Sequence, residues 1–196
     1  VFGRADTKEA NYAAILHKNG VPTHFTDSVI WEAEDMAARP ITEAGRRDLR
    51  GLPTLTIDSA DAKDLDDAIS LEKSEDGWRL YVHIADVSEY VKEGGEVDRE
   101  AYARGTSVYF VDKVVPMLPE ALSNGSCSLN GGVDRWALSA IIDLDKAGNP
   151  RSYDFAKSLI RSDVRGVYAE VNDLFEKGRD SAFAGKYAPV LDMLFD

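Results

Sequence analysis

The chain has few of the features that mark secreted, membrane-bound or zinc-binding proteins. Its 196 residues include a single cysteine, Cys127, so no internal disulfide can form. No apolar run reaches about eighteen residues and no basic segment precedes a shorter apolar one, which argues against a membrane span and a signal peptide. The three histidines are too scattered to indicate a zinc site. We therefore expect a cytoplasmic protein without a membrane or disulfide partner, and we expect it to be a monomer.

Basic residues are also scarce relative to acidic ones. The chain has 23 Lys and Arg against 35 Asp and Glu, a formal net charge of −12. This balance argues against a polyanionic partner, because Lys and Arg normally meet the phosphates of a nucleic acid. A site that holds divalent cations is an exception, since the bound ions then face the phosphates. Metal-dependent phosphate chemistry therefore stays open.

An acidic stretch is the most informative part of the sequence. Five aspartates lie within residues 58–67, between apolar segments that predict one strand before the stretch and one after it. Carboxylates this close repel one another strongly once they are partly buried. A calcium-binding helix-loop-helix is excluded, because that loop needs a Gly at its sixth position and a Glu at its twelfth. A solvated charged loop is the plain alternative, but the apolar flanks favour a two-metal site.

The remaining pattern predicts an α+β fold. Residues 11–17 predict a short strand, and residues 28–38 predict a helix that Ser28 caps and Pro40 ends. Alternation and helical spacing predict further strands at 55–57, 68–71, 78–84, 107–111, 137–144 and 153–160. They also predict a helix that begins at Ser88 or at Glu96 and ends at Arg104, and helices at 167–175 and 189–195. We expect a twisted mixed or mainly antiparallel sheet with helices packed on one side. The last helical pattern has no stop signal before Asp196, which predicts a fragment.

Six short segments carry motifs that follow one another in a fixed order. They are Asp48–Ile69, Val82–Ser88, Ser107–Phe110, Val115–Pro119, Leu122–Asn124 and Cys127–Asn130. In this order they resemble the catalytic domain of the ribonuclease II and ribonuclease R family. The resemblance implies that residues 46–196 are the N-terminal portion of this RNB catalytic domain. Residues 1–45 look like the end of a preceding cold-shock-type β-barrel domain and a linker.

The resemblance implies an active site in the acidic stretch. The four active-site aspartates of the family match Asp58, Asp64, Asp66 and Asp67, whereas Asp61 lies at a position that the family does not fix as acidic. Asp58, Asp64 and Asp67 would hold Mg²⁺, with Mn²⁺ as a substitute. Asp66 would position or help to activate the attacking water.

The resemblance also implies a reaction and a substrate. The family degrades single-stranded RNA processively from the 3′ end, releasing 5′-nucleoside monophosphates by two-metal-ion catalysis. Tyr109 matches the tyrosine that stacks on the terminal base, and its alternative role is that of an ordinary aromatic residue in a strand. Because the family's catalytic domain continues beyond residue 196 and an S1-type RNA-binding domain follows it, we expect this chain alone to have little or no activity. Two alternatives stay open: a catalytically inert RNA-binding relative, and another metal-dependent phosphodiesterase such as a DNA exonuclease.

Three other residues and one basic segment lie outside the predicted active site. His83 and Asp86 lie on or after a predicted strand, where hydrogen bonding and strand termination are their expected roles. Cys127 is expected to be a small buried residue. The basic run at residues 46–50 predicts either a solvated surface or a contact with phosphate.

Overall fold

The computed structural model describes residues 3–4, 6–43, 45–110 and 112–196. Its helices are α1 (Lys8–Lys18), α2 (Asp27–Ala37), α3 (Val87–Tyr90), α4 (Glu96–Arg104), α5 (Tyr168–Lys177) and α6 (Leu191–Phe195). Its strands are β1 (Arg47–Asp48), β2 (Leu55–Asp58), β3 (Asp67–Ser74), β4 (Gly77–Ala85), β5 (Val108–Tyr109), β6 (Val114–Val115), β7 (Asp134–Asp145), β8 (Pro150–Arg161) and β9 (Val164–Val167). The chain forms two compact units: residues up to 38 with 91–122, and residues 39–90 with 123–196.

In the first unit, the structure corrects two predictions. The strand predicted at residues 11–17 was wrong, because this segment lies in α1. The Thr7 hydroxyl accepts a hydrogen bond from the Ala10 N–H at 3.3 Å and caps the helix, and a short apolar run cannot by itself distinguish a strand from a helix. Helix α2 begins after Thr26, so Ser28 is not its N-cap. The described residues before Arg46 form helices, turns and loops, and none of them lies in a strand. The predicted remnant of a cold-shock-type barrel is therefore not shown.

The second unit contains a seven-stranded sheet in the order β1-β8-β7-β4-β3-β2-β9. The pairs from β8 through β2 are antiparallel, and the two outer pairs, β1 with β8 and β2 with β9, are parallel. The prediction of a mixed, mainly antiparallel sheet in an α+β fold is confirmed. Parallel pairing with β9 places the acidic loop, which follows β2, and helix α5, which follows β9, at the same end of the sheet.

Two apolar cores cover opposite faces of this sheet. One contains Ala68 and Tyr81 with residues of the connecting loops, among them Leu65. The other contains Leu55, with Ile69 packed against it, and residues of α5, α6 and the segment between these helices. Adjacent residues of a strand face opposite sides of a sheet. Ala68 therefore faces the first core and Ile69 faces the second. Helices α5 and α6 therefore pack on the face of Ile69.

The longer predicted elements are confirmed, with shifted boundaries. The strands predicted at 78–84, 137–144 and 153–160 lie within β4, β7 and β8. Of the strand predicted at 107–111, Val111 lies outside the described residues, and the described part contains β5, which pairs with β6 in a two-stranded sheet. The helix predicted at 189–195 consists of a 3₁₀ turn, Ala188–Val190, followed by α6. None of the helices in the described ranges is both long enough and apolar enough to span a membrane.

A chain of buried polar side chains crosses the sheet. The hydroxyls of Thr54 and Ser70 are 2.7 Å apart, and the Ser70 hydroxyl is 3.1 Å from His83 Nε2. His83 Nδ1 is 2.7 Å from the Ser139 hydroxyl, which is 2.6 Å from that of Ser158. All five residues are fully buried. Burial lowers the pKa of His83 to about 4, so the imidazole is neutral at pH 7 and its role is structural, as the sequence predicted.

We expect the buried imidazole to make stability depend on pH. The pKa of an unfolded histidine is about 6.5, so protonation of the unfolded chain removes stability as the pH falls from about 6.5 to about 4. The difference between the two pKa values corresponds to a loss of roughly 3 kcal/mol. Urea unfolding of His83→Gln and wild type across this range should give curves that diverge below pH 6.5, with the smaller loss in the variant. The exposed His24 provides the control, His24→Gln, which should follow the wild type; parallel curves for His83→Gln would contradict the expectation.

Strand β9 approaches β2 too closely for a side chain at one position. Gly166 lies opposite Ile57 in the register, and a Cβ atom at Gly166 would lie 2.5 Å from the carbonyl oxygen of Thr56. This contact is with backbone, which cannot move aside as a flexible side chain could. The absence of a side chain at Gly166 therefore allows the pairing that positions the end of β2.

We expect Gly166→Ala to destabilise the protein by about 1–3 kcal/mol, the usual cost of overpacking. The free energy of urea unfolding at pH 7 measures this effect. Gly51→Ala is the matched control, because a Cβ atom there meets nothing within 4 Å. Equal unfolding free energies for the two variants would show that the close approach is not a constraint.

Candidate active site

Strand ends and one loop carry the predicted aspartates. Asp58 is the last residue of β2, Asp67 is the first residue of β3, and Asp64 and Asp66 lie in the loop between them. Asp58 and Asp64 are half-buried, whereas Asp66 and Asp67 are exposed. The carboxylate of Asp58 accepts a hydrogen bond of 2.7 Å from the N–H of Ser59, which begins the loop. All four aspartates therefore belong to one short segment at one end of the sheet.

Leu65 anchors the second half of the loop. Its side chain is 1% exposed and lies in the apolar core, between the half-buried Asp64 and the exposed Asp66. Its N–H donates to the Ser128 hydroxyl at 3.0 Å, and its carbonyl accepts from the Leu129 N–H at 2.8 Å. With its side chain and both backbone groups engaged, Leu65 fixes the chain between two of the carboxylates.

Ser128 is a residue of the site that the sequence did not single out. Its hydroxyl accepts from Leu65 and donates to the carbonyl of Lys63 at 2.8 Å, so one hydroxyl joins two residues of the loop. The Arg135 side chain in turn donates to the carbonyl of Ser128 at 2.7 Å and to that of Gly125 at 3.2 Å. The sequence did contain a signal. The segment Cys127–Asn130 is one of the family motifs, yet it contains no catalytic residue, which indicates a supporting role.

The four aspartates interact electrostatically at Asp66. The pKa of Asp66 is raised, first by partial desolvation of its carboxyl group and then by the negative charges of Asp64, Asp67 and Asp58, in that order. Although Asp66 is exposed as a residue, its carboxyl group is thus surrounded by like charge. Asp61 is exposed and is not among the causes of this shift.

The chemistry of these side chains fits a divalent cation, but their positions do not yet enclose one. Carboxylate oxygens are hard donors of the kind that Mg²⁺ and Mn²⁺ prefer. A cation would also relieve the repulsion that raises the pKa of Asp66. Within the described part of the chain, however, no three Asp, Glu, His or Cys side chains are arranged to hold a metal ion. Metal binding would thus require the carboxylates to turn toward a common point.

Tyr109 lies in the first compact unit, on the two-stranded sheet of β5 and β6. It is 63% exposed. Its neighbour Phe110 packs edge-on against Tyr12 of α1, with 4.8 Å between ring centroids. The Lys113 ammonium lies 4.7 Å from the centroid of the Tyr12 ring. Tyr109 therefore presents an accessible ring, which distinguishes it from an aromatic residue of a core.

The basic run at residues 46–50 forms ion pairs within the protein. Arg46 is buried and donates to Asp86 at 2.8 Å and to Glu89 at 2.6 Å. Burial alone would raise the pKa of Asp86, but hydrogen bonds from Arg46 and Ser88 lower it. Arg46 and Asp86 therefore have structural roles, whereas the Arg47 side chain is 50% exposed, as the prediction of a solvated surface allows.

Cys127 is buried, as the sequence predicted. Burial raises the pKa of its thiol to about 12, with a smaller contribution from the negative charge of Asp66. A thiol with so high a pKa is a poor nucleophile at neutral pH. Cys127 therefore contributes packing rather than chemistry.

Residues 46–195 match the model of the RNB domain. The chain is 43% identical over 201 residues to ribonuclease R of Thermotoga maritima, a match that covers 100% of this chain and 28% of that protein. It is 42% identical over 195 residues to ribonuclease R 1 of Lactococcus lactis, covering 98% of this chain and 24% of that protein. The chain thus spans about a quarter of the length of these curated relatives.

A solved structure supports the same relationship. RNase R of Mycoplasma genitalium, in complex with ribose-methylated single-stranded RNA, has a TM-score of 0.86 and 33% identity, and the match covers 99% of this chain and 32% of that chain. The predicted relationship is confirmed: the chain belongs to the ribonuclease II and ribonuclease R family, whose RNB domain it carries at residues 46–195.

Proposed function

We propose that the complete polypeptide carrying this chain is a processive 3′-to-5′ exoribonuclease. It hydrolyses single-stranded RNA to 5′-nucleoside monophosphates and depends on divalent cations. The observation that carries the proposal is the match of residues 46–195 to the RNB domain, in which Asp58, Asp64, Asp66 and Asp67 lie on one anchored loop and its flanking strand ends. Mutually repelling carboxylates destabilise a fold, so their retention in one anchored loop favours a role in binding cations.

The roles of the aspartates follow from the family resemblance. Asp58, Asp64 and Asp67 would hold Mg²⁺, or Mn²⁺ in its place. The chemistry that the ions supply when bound is stabilisation of negative charge at the reacting phosphate. Asp66 would orient the attacking water and help to deprotonate it.

Single-stranded RNA is the substrate that fits the accessible Tyr109. Stacking of a base on an aromatic ring is worth about 1–3 kcal/mol and tolerates every base, which suits an enzyme that must accept any sequence. The Mycoplasma genitalium relative was solved with single-stranded RNA, which supports this substrate class. Contacts with the 2′-hydroxyl would exclude DNA.

The proposal extends to the setting of the protein. We place it in the cytoplasm as a monomer, in keeping with a single, buried cysteine. Residues 1–45 would be the end of a cold-shock-type domain and a linker, and residues 46–196 part of the catalytic domain.

An inert RNA-binding relative is the second candidate. No three carboxylates among the described residues converge on a metal position, and this observation would suit a protein that has lost its chemistry. The four aspartates are nevertheless present and coupled at Asp66. We therefore rank hydrolysis first.

We expect Asp66→Asn to lower the rate of RNA hydrolysis by about two to four orders of magnitude, the usual effect of losing a group that transfers a proton. The assay measures release of nucleoside monophosphates by the complete polypeptide with Mg²⁺, on single-stranded RNA and DNA in parallel. RNA alone should be degraded. Asp61→Asn is the matched control, because Asp61 lies in the same loop but outside the coupled set, and it should retain the wild-type rate. Equal activity on DNA, or full activity of Asp66→Asn, would contradict the proposal.

We expect the isolated 196-residue chain to have little or no nuclease activity. The chain spans 28% of the Thermotoga maritima relative, and the family resemblance places further RNA-contacting residues downstream. Incubation of this chain with Mg²⁺ and end-labelled single-stranded RNA measures the activity, with the complete polypeptide as the reference. Robust degradation by the isolated chain would refute this expectation.

A further inference from the structure

The acidic loop is held in two different ways along its length. Its second half is anchored by Leu65 in the core and by Ser128, as described above. Its first half, residues 59–62, is mostly exposed. Inside this half, the N–H of Ala62 donates to the carbonyl of Ser59 at 3.2 Å and forms a turn. A turn of this kind does not by itself determine where the first half lies relative to the sheet.

Arg165 supplies the missing attachment. Its guanidinium donates to the carbonyl of Ala60 at 3.2 Å and also to that of Ala62. Within the described part of the chain, no other side chain from outside the loop donates a hydrogen bond to residues 59–62. Both hydrogen bonds come from one terminal nitrogen, Nη2, and Arg165 forms no ion pair with another described residue.

The backbone of Arg165 is itself fixed relative to Asp58. Arg165 pairs with Thr56 in the parallel ladder of β9 and β2, and Val167 pairs with Asp58. Between them lies Gly166, where a Cβ atom would lie 2.5 Å from the carbonyl oxygen of Thr56. The N–H of Val167 donates to the Tyr187 hydroxyl at 2.9 Å. The guanidinium thus connects the first half of the loop to a strand whose register with Asp58 is set.

We infer that Arg165 is a positioning residue that determines the separation of Asp58 from Asp64, an inference that rests on the proposed metal-dependent function. Asp58 precedes the segment that Arg165 holds, and Asp64 follows it. The contact acts through geometry, by limiting where the carbonyls of Ala60 and Ala62 can lie.

Arginine is better suited to this role than lysine. Both carbonyls accept from Nη2, which the planar guanidinium holds at a fixed position, whereas a lysine ammonium could donate to both but lies on a flexible stem. Arg165→Lys should therefore retain the charge and lose part of the positioning. Arg165→Met should lose both carbonyl contacts and keep most of the apolar length of the side chain.

The test uses the complete polypeptide and three readouts: hydrogen exchange at residues 59–64, Mn²⁺ affinity by calorimetry, and the urea unfolding midpoint. Arg165→Met should speed exchange in this segment about tenfold and weaken Mn²⁺ binding about tenfold, the size of effect expected for a residue that orients metal ligands. Arg165→Lys should give intermediate values. Arg151→Met is the matched control, since Arg151 is an exposed arginine of β8 far from the loop in sequence. It should match the wild type in exchange and affinity, and the unfolding midpoints of all variants should agree.

The outcomes separate the two proposals. If the wild type binds no Mn²⁺, the proposed metal-dependent function fails and takes this inference with it. If the wild type binds Mn²⁺ and Arg165→Met binds it equally well, the positioning role alone is overturned. Unchanged exchange at residues 59–64 in Arg165→Met overturns it as well. A fall in the unfolding midpoint that accounts for the whole loss of affinity would show that Arg165 supports the fold in general.

Discussion

The burial of one leucine within the acidic loop is the contact on which the candidate site depends. Leu65 is 1% exposed, and burial of a leucine side chain contributes about 1.5–3 kcal/mol. The core therefore fixes the backbone that carries Asp64 and Asp66, on either side of Leu65. In a solvated loop, the same carboxylates could move apart and lower their repulsion. Here desolvation first, and then the negative charges of Asp64, Asp67 and Asp58, raise the pKa of Asp66.

The interactions that determine the loop explain which parts of the site the sequence could predict. The aspartates are neighbours along the chain, so their composition and apolar flanks indicated the site directly. The supporting residues are distant: Ser128 contacts Leu65 across 63 positions, and Arg165 contacts Ala60 across 105. Without the strand order, no spacing in the sequence relates such pairs. To predict the contact of Arg165 with the loop, one would need to know that β9 pairs with β2. Alternation of apolar and polar residues predicts strands but does not predict their order in a sheet.

The same distinction applies to the fold. Strands β4, β7 and β8 were predicted because alternation over many residues is a strong local signal, and each lies where a half-buried strand should. Helix α1 was mistaken for a strand because its seven predicted residues are too few to separate the two periods. The decisive signal lay outside that window, at the capping Thr7. The first unit also contains Tyr109, whose exposed ring could not be distinguished from a core aromatic by its strand neighbours.

An acidic chain can act on RNA if its arginines pair with its own carboxylates and bound metal ions face the phosphates. Arg46 is committed to Asp86 and Glu89, and Arg50 bonds several carboxylates, among them Asp48 and Asp134. These ion pairs neutralise the most basic segment internally, so it adds little attraction for phosphate. In the proposed function, divalent cations at the aspartates supply positive charge at the scissile phosphate. An anchored loop in which like charges already repel is suited to this, because binding a cation both neutralises the carboxylates and removes a cost that folding has imposed.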